Sequence, residues 1–309
     1  MSLNKPTFYQ IAATPILLFF LSTWSILLSC APPERHTADG LFLYTPDSLA
    51  TYDLKNPDAK YLLPYVLEEV SGITYLEEGK LACVQDEDGK VFIYNHKTGS
   101  IDDVIRFAGT GDYEGITTSG QTIYVVQSNG NIFQFDRGDQ KPKVEKHETP
   151  LNKSNDVEGL TYDAKSNSLL LACKADGEIK GKNSNKKGFF TFDLQKEKLT
   201  KDPSFSLSKK KIKAYLEQHK DFIYEEDRIN FKPSGIAIHP LSGHYYIIAS
   251  IGKLLLVVDR SGHIISSMPI DPRLLGQPEG ICFAPNGDMF IASEGQGDKG
   301  YILKFNIEE

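Results

Sequence analysis

At five places in the chain a glutamate or a serine stands directly before Gly-Ile or Gly-Leu, and each of these triplets opens an apolar stretch. The five polar residues are Ser71, Glu114, Glu158, Ser234 and Glu279. Three carboxylates that converge on one opening repel one another unless they are protonated, hydrogen-bonded or neutralised by a cation. Calcium is a hard cation that accepts irregular coordination by roughly six to eight oxygens. These glutamates therefore indicate either a calcium site or a set of hydrogen bonds to backbone amides that join neighbouring repeats.

The glycines that follow these residues define an internal repeat. Successive glycines are separated by 43, 44, 76 and 45 residues, and each begins a pattern of apolar strand, polar hairpin and apolar strand. A period of about 44 residues with several short strands per unit is typical of a β-propeller blade. Each blade is a four-stranded sheet that faces a central axis. Ring symmetry therefore predicts that the five side chains surround one channel entrance.

The repeat predicts an all-β fold, a β-propeller of five four-stranded blades within residues 41–309. The last repeat stops before its fourth strand, so an extended segment between Leu41 and Leu67 is expected to supply that strand and close the ring. A ring of six blades is the alternative, if this N-terminal segment forms half a blade of its own.

The long third interval locates an insertion at about 200–231. Ser208 is expected to cap an amphipathic helix there, placed where it could form part of a lid over the channel mouth. One face of this helix would carry Ile212, Tyr215, Leu216 and His219.

The N-terminus differs in kind from the rest of the chain. An uncharged apolar run from Ile16 to Leu28 is shorter than the roughly 20 residues of a membrane-spanning helix, and residues 1–29 are typical of a signal peptide. Leu-Leu-Ser-Cys, ending at Cys30, resembles a bacterial lipobox, which implies that Cys30 is acylated and anchors the protein in a lipid bilayer. The alternative is a secretory signal with an incidental cysteine. Residues 30–40 would form a tether, and Pro32 favours the outer membrane of the cell envelope, on its periplasmic or outward-facing side.

The net charge argues against nucleic-acid binding, and the cysteine spacing argues against a zinc site. The net charge is −7, with 41 acidic and 34 basic residues, so a strongly basic nucleic-acid-binding face is not expected. Cys83, Cys173 and Cys282 lie in apolar runs without the spacing of a zinc site, which predicts buried free thiols.

A second set of polar residues lies in the hairpins after the second strand of each repeat, on the same face as the glutamates. With Ser71 and Ser234, these residues are expected to contact a ligand at the channel mouth. They are Gln85, Asp86, Gln127, Lys174 and Ser250, and Glu294 occupies the equivalent place in the last repeat.

Five stretches in register resemble the SdiA-regulated family of bacterial exported or lipid-anchored proteins, which is distantly similar to NHL-repeat propellers. They are EVSGITY, DYEGITT, DVEGLTYD, KPSGIAIHP and QPEGICFAPNGDMFIASEG. The resemblance implies a five-bladed propeller with a calcium ion at a shared site. It implies ligand roles for Glu114, Glu158 and Glu279, with Glu294 as a further candidate, and it implies no defined biochemical activity.

Two functions of different classes follow from this reading. One is a calcium-loaded binding or interaction module at the cell envelope, whose mouth contacts an unidentified peptide, glycan or small molecule. The other is a calcium-dependent hydrolase, similar to a lactonase or a phosphoesterase, in which the ion polarises a carbonyl or phosphoryl oxygen. The sequence places no histidine near the glutamates as a base and contains no GxSxG motif, so catalytic residues are not assigned. A purely structural envelope role is the remaining alternative.

Overall fold

A computed structural model describes residues 37–38, 41–42, 49, 51–138, 141–179, 185–219 and 226–308. The predicted signal peptide, Cys30 and most of the tether lie outside these ranges. No helix in the described part is long and apolar enough to cross a membrane. Contacts divide the chain into two units, Met1–Leu43 and Tyr44–Glu309. In the first unit, strands Thr37–Ala38 and Leu41–Phe42 pair antiparallel.

The second unit is a β-propeller of five antiparallel sheets. Each innermost strand contacts the innermost strands of two neighbouring sheets, so the five blades close into a ring. The predicted all-β propeller is confirmed, and the six-blade alternative is wrong.

The blades follow the repeat in chain order, and their strands are given from the channel outwards. Blade 1 is Val70–Glu77, Lys80–Gln85, Asp88–Asn95 and Ser100–Thr110. Blade 2 is Tyr113–Ser119, Thr122–Gln127, Ile132–Asp136 and Glu145–His147. Blade 3 begins with Val157–Asp163, Ser168–Cys173 and Lys186–Asp193, and its fourth position is divided between Lys198–Leu199 and Phe205–Ser208. Blade 4 is Lys232–Ile238, Tyr245–Ile251, Leu254–Val258 and Ile264–Pro269.

Blade 5 is built from both ends of the unit. Its first three strands are Pro278–Phe283, Met289–Ser293 and Tyr301–Phe305, and the fourth is Ala59–Leu62 from the N-terminal side. The predicted closure by an N-terminal strand is therefore confirmed. The Asp58 carboxylate accepts hydrogen bonds from the backbone N–H and the side-chain amide of Asn306, both at 2.7 Å, and fastens this closure.

The insertion contains the predicted helix, Lys209–Gln218, and a 3-10 helix, Glu226–Ile229; a second 3-10 helix, Tyr65–Leu67, precedes blade 1. Ser208 caps the helix because its hydroxyl accepts the Lys211 backbone N–H at 3.2 Å. Ile212 and Leu216 are buried in an apolar cluster shared by blades 3 and 4. The helix contacts the outer strands of those two blades, which places it at the rim of the propeller.

The core lies between the blades, where apolar side chains of adjacent sheets interdigitate. Cys83, Cys173 and Cys282 are buried there as free thiols, as the sequence predicts. Burial raises the pKa of all three thiols, that of Cys173 to about 12, so they stay protonated at neutral pH.

Candidate functional site: an acidic channel mouth

Each innermost strand carries a β-bulge at its Glu or Ser position. In blade 1, Val70 pairs with Gln85 and Gly72 pairs with Val84, so Ser71 between them has no cross-strand partner. The pairing skips the equivalent residue in the other four blades. A bulge bends the strand and re-aims the side chain of its extra residue. The side chains of the five repeated polar residues therefore do not follow the regular alternation of side-chain direction along the strand.

The glycine after each bulge is required by the close approach of neighbouring innermost strands. A Cβ atom on Gly115 would lie 2.9 Å from the backbone nitrogen of Leu160 in the next blade, and one on Gly235 would lie 2.8 Å from the carbonyl oxygen of Glu279. Neither distance leaves room for a side chain. The glycine of the repeat thus sets the diameter of the ring.

The three glutamates line a central cavity of about 10 Å³, close to the smallest volume that holds one water molecule. Glu158 and Glu279 are only 5% and 6% exposed, and Glu114 is half-buried. The prediction that the repeat brings these three carboxylates to one opening is therefore correct.

The two serines do not reach this cavity. The Ser71 hydroxyl donates to the carbonyl oxygen of Tyr113 at 2.6 Å, and the Ser234 hydroxyl donates to that of Pro278 at 2.6 Å. Both acceptors belong to the next blade and directly precede one of the glutamates. The serines join adjacent blades, and the structure does not bring them together with the carboxylates.

A belt of aliphatic side chains closes the channel directly below the mouth. Its members follow the repeat glycines, border the same cavity and are buried: Ile73, Ile116, Leu160, Ile236 and Ile281. The belt removes water from one side of the carboxylates and lowers the local dielectric constant. Burial of this kind disfavours the charged form of an acid.

Lys174 is the cation that faces these carboxylates. Its ammonium group lies 2.9 Å from Oε1 of Glu158 and also attracts Glu279. Burial alone would lower the pKa of Lys174, but the attraction of Glu158 and Glu279 outweighs it and raises the pKa. Burial keeps the pKa of Glu158 above its usual range in spite of Lys174. Lys174 therefore interacts with more than one carboxylate, and its single positive charge does not neutralise them all.

Glu114 and Asp112 form a second acidic pair at the mouth. Burial, repulsion by Glu158 and a hydrogen bond with Asp112 raise the pKa of Glu114 far above its usual range. Such a bond between two carboxyl groups requires a shared proton. Without a cation, Glu114 therefore holds its proton more tightly than an exposed glutamate does.

Glu279 has a side-chain oxygen whose hydrogen-bonding capacity is not satisfied. Its Oε2 atom is buried and has no hydrogen-bond partner in the described part of the chain. Burial, followed by repulsion from Glu158, raises the pKa of Glu279 to about 8. Buried polar atoms normally have partners, so an orphaned carboxylate oxygen that borders a cavity points to something that occupies the cavity.

Asp86 and Glu294 extend the acidic surface to the junction of blades 5 and 1. Oδ1 of Asp86 is also buried without a described partner. Burial raises the pKa of Asp86, with repulsion by Glu69 as the next cause. Burial and the charge of Asp86 raise the pKa of Glu294 to about 7. Both residues stand in the hairpins where the sequence predicts ligand contacts.

The remaining predicted hairpin residues, Gln85, Gln127 and Ser250, form hydrogen bonds within the propeller. Oε1 of Gln85 accepts the backbone N–H of Asp88 at 3.0 Å, and Oε1 of Gln127 accepts from the Asn131 amide at 3.4 Å. The backbone N–H of Ser250 donates to the Ser234 hydroxyl at 3.1 Å. The side-chain hydroxyl of Ser250 forms a hydrogen bond with Glu279. Of these three, only Ser250 contacts a mouth carboxylate.

The donor set suits a hard cation, because carboxylate oxygens surround the cavity and one of them is orphaned. In the arrangement described, however, no three His, Cys, Asp or Glu side chains are grouped closely enough to bind a metal ion. An ion held by Glu114, Glu158 and Glu279 would have to draw their side chains together.

Asp112 and Glu69 are absent from the residues predicted above, although the repeat contains a signal for both. An acid recurs two residues before the bulge in blades 1, 2 and 3, at Glu69, Asp112 and Asp156. Aligning the repeats one step further upstream would have found them.

Fold and site together define the class of protein: a five-bladed β-propeller with a buried acidic opening at one end of its channel. The chain belongs to the SdiA-regulated family, whose model matches residues 50–296. No curated protein sequence matches it.

Two similar solved structures are the PQQ-bound aldose sugar dehydrogenase of Streptomyces coelicolor and the glutaminyl cyclase of Myxococcus xanthus. The first is 12% identical, with 85% of this chain and 100% of that chain covered and a TM-score of 0.50. The second is also 12% identical, with 82% and 97% covered and a TM-score of 0.52. At these identities the likeness shows the fold alone.

Proposed function

We propose that the acidic mouth binds a divalent cation, Ca²⁺, and that the ion-loaded mouth binds an envelope ligand. The observation that carries this proposal is the orphaned Oε2 of Glu279, which is buried beside two further glutamates. A hard cation would give this oxygen a partner and would relieve the repulsion that raises the pKa of these carboxyls. Glu114, Glu158 and Glu279 would hold the ion, and Glu294 would lie at its edge.

Calorimetric titration of the purified protein with CaCl₂ tests the proposal. We expect binding that weakens at least tenfold in Glu279→Gln, because Gln keeps the shape and removes the charge. Glu78→Gln is the matched control, since Glu78 is an exposed turn residue paired with Lys97. Absence of binding, together with a melting temperature that a chelator leaves unchanged, would reject the metal site.

A calcium-dependent hydrolase of lactones or phosphoesters is the second candidate. The observation that favours it is Glu294, a half-buried carboxyl at the mouth whose pKa is raised by burial to about 7. A group with this pKa can exchange protons near neutral pH, as a general base must. Calcium-stimulated hydrolysis that Glu294→Gln abolishes, with calcium binding intact, would favour this function over the binding module.

We further propose that acylated Cys30 anchors the propeller to the bacterial outer membrane. The apolar run before a lipobox-like Leu-Leu-Ser-Cys supports this proposal. Metabolic labelling with palmitate should mark the protein, and Cys30→Ser should remove the label and release the protein into the soluble fraction. An unlabelled protein would leave the alternative, an ordinary secretory signal.

A further inference from the structure

The channel has a second opening, at the end opposite the glutamates, and this end holds a pocket of about 290 Å³. The far halves of all five innermost strands line it. Ile116, Leu160, Ile236 and Ile281 of the aliphatic belt border both this pocket and the mouth cavity, so the belt separates the two. The volume is close to the lower end, roughly 300 Å³, of pockets that bind small molecules.

The pocket carries no formal charge. Among the described residues that line it, none is Asp, Glu, Lys, Arg or His. An ion that entered this pocket would lose its water without gaining a charged partner, which is strongly unfavourable. The chemistry of the lining therefore selects a neutral ligand, in contrast with the mouth.

The lining has a hydroxylated side and an apolar side. The third residue after the bulge is a threonine in blades 1, 2 and 3, namely Thr74, Thr117 and Thr161, whereas Ala237 and Cys282 hold the equivalent positions in blades 4 and 5. The five-fold repeat is thus broken in a way that divides the pocket into two chemically different halves.

The threonine hydroxyls are available to a ligand. Thr74 and Thr161 are 8% and 7% exposed, and neither hydroxyl has a hydrogen-bond partner in the described part of the chain. The Thr117 hydroxyl accepts the Tyr162 backbone N–H at 3.0 Å and keeps its own proton to donate. Neither hydroxyl oxygen is sealed from the pocket, so both can bond a polar group of a bound molecule.

Aromatic rings complete the pocket. Tyr75, Tyr162 and Phe283 line it from blades 1, 3 and 5. The Tyr162 hydroxyl is already bound to Asn167 at 3.0 Å, so this residue offers the pocket its ring rather than its polar end. Aromatic faces favour a flat apolar body in the ligand.

We propose that this pocket is a second binding site, for a small neutral molecule that combines an apolar ring with a hydroxyl group. The hydroxyl group would bond Thr74 and Thr161, and the ring would lie against Ala237, Cys282 and Phe283. Because the aliphatic belt intervenes, the site works independently of cation binding at the mouth.

Phenol is a suitable probe, because it joins one ring to one hydroxyl and is neutral at pH 7 with a pKa of about 10, like tyrosine. Binding is measured on the purified protein by ligand-observed NMR, and a crystal soak locates the ring. We expect phenol to bind and benzoate, which has the same ring and a negative charge, not to bind.

Two variants and a control decide the assignment. Ala237→Phe fills the apolar side and should weaken phenol binding at least tenfold. Thr161→Val keeps the volume, removes one hydroxyl and should weaken binding about 2- to 10-fold, the range of one neutral hydrogen bond. Thr110→Val, at an exposed strand end, should change nothing. Failure of phenol to bind, or equal binding by all variants, would overturn the proposal, and thermal melting of the same variants confirms that they are folded.

Discussion

Ser71 and Ser234 occupy the same bulge as Glu114, Glu158 and Glu279, yet the two residue types do opposite things. A serine hydroxyl can donate to the carbonyl oxygen of the next blade, and both serines do so. The three glutamates line the central cavity instead. The same bulge thus holds either a hydroxyl that bonds the next blade or a carboxyl group that borders the cavity.

The largest effect is expected from removing the cation that serves the glutamates. Lys174→Met leaves the buried carboxylate of Glu158 unpaired and should lower the free energy of unfolding by about 2 to 3 kcal/mol at pH 8. This is less than the roughly 3 to 5 kcal/mol expected for a fully buried ion pair, because the Lys174 side chain is 24% exposed. Urea unfolding measures the change.

The double variant Lys174→Met with Glu158→Gln is the control for that measurement. It should recover most of the lost stability, since no unpaired charge remains. A double variant as unstable as Lys174→Met would show that Lys174 acts through packing and that Glu158 does not depend on it.

A smaller effect is expected at the serine positions. Ser234→Ala removes the bond to Pro278 and leaves the buried Ser250 N–H without its acceptor, which should cost about 2 kcal/mol. The loss should be the same at pH 5 and pH 8, because no charge is involved. Ser266→Ala, in the outer strand of the same blade, is the control and should stay within about 0.5 kcal/mol of the wild type. A pH-dependent loss in Ser234→Ala would erase the contrast between the two residue types.

A separate effect, which needs no substitution, concerns pH in the presence of a chelator. The pKa of Glu279 is raised by burial from 4.5 to about 8, so the folded state retains a proton that the unfolded state has released. Stability should therefore fall as the pH rises from about 4.5 to about 8 and level off above that range. Glu279→Gln should reduce the slope of the melting-temperature profile in this range, to which Glu158 and Glu294, with pKa values raised to about 7, also contribute. An unchanged slope would mean that other carboxyls carry the effect.

The architecture could be predicted because residues that recur at regular intervals specify it. The spacing of Gly72, Gly115, Gly159, Gly235 and Gly280 revealed the blades, the missing outer strand and the insertion. The helix followed from its cap at Ser208 and the spacing of Ile212 and Leu216. Each of these features depends on local patterns that recur at fixed intervals.

The chemistry of the site could be predicted only in part. The sequence places Ser71 and Glu114 at equivalent positions, but it does not show that a bulge re-aims both or that one of them turns toward a neighbouring carbonyl. The sequence predicts Lys174 only as a ligand contact of the mouth, because its 2.9 Å contact with Glu158 depends on how two strands meet in space. Such pairings are properties of the closed ring rather than of any one repeat.

The split fifth blade sets an order of events during folding. Blades 1 to 4 each form from neighbouring stretches of chain, whereas Asp58 and Asn306, which join across the closure, are 248 positions apart. Contacts so distant in sequence form slowly, so Ala59–Leu62 must wait without a partner until Tyr301–Phe305 has been made. We expect pulsed hydrogen exchange during refolding to protect the amides of Ala59–Leu62 last, and protection of these amides together with blade 1 would contradict this order. The first strand of the propeller in chain order is thus the one that completes the ring.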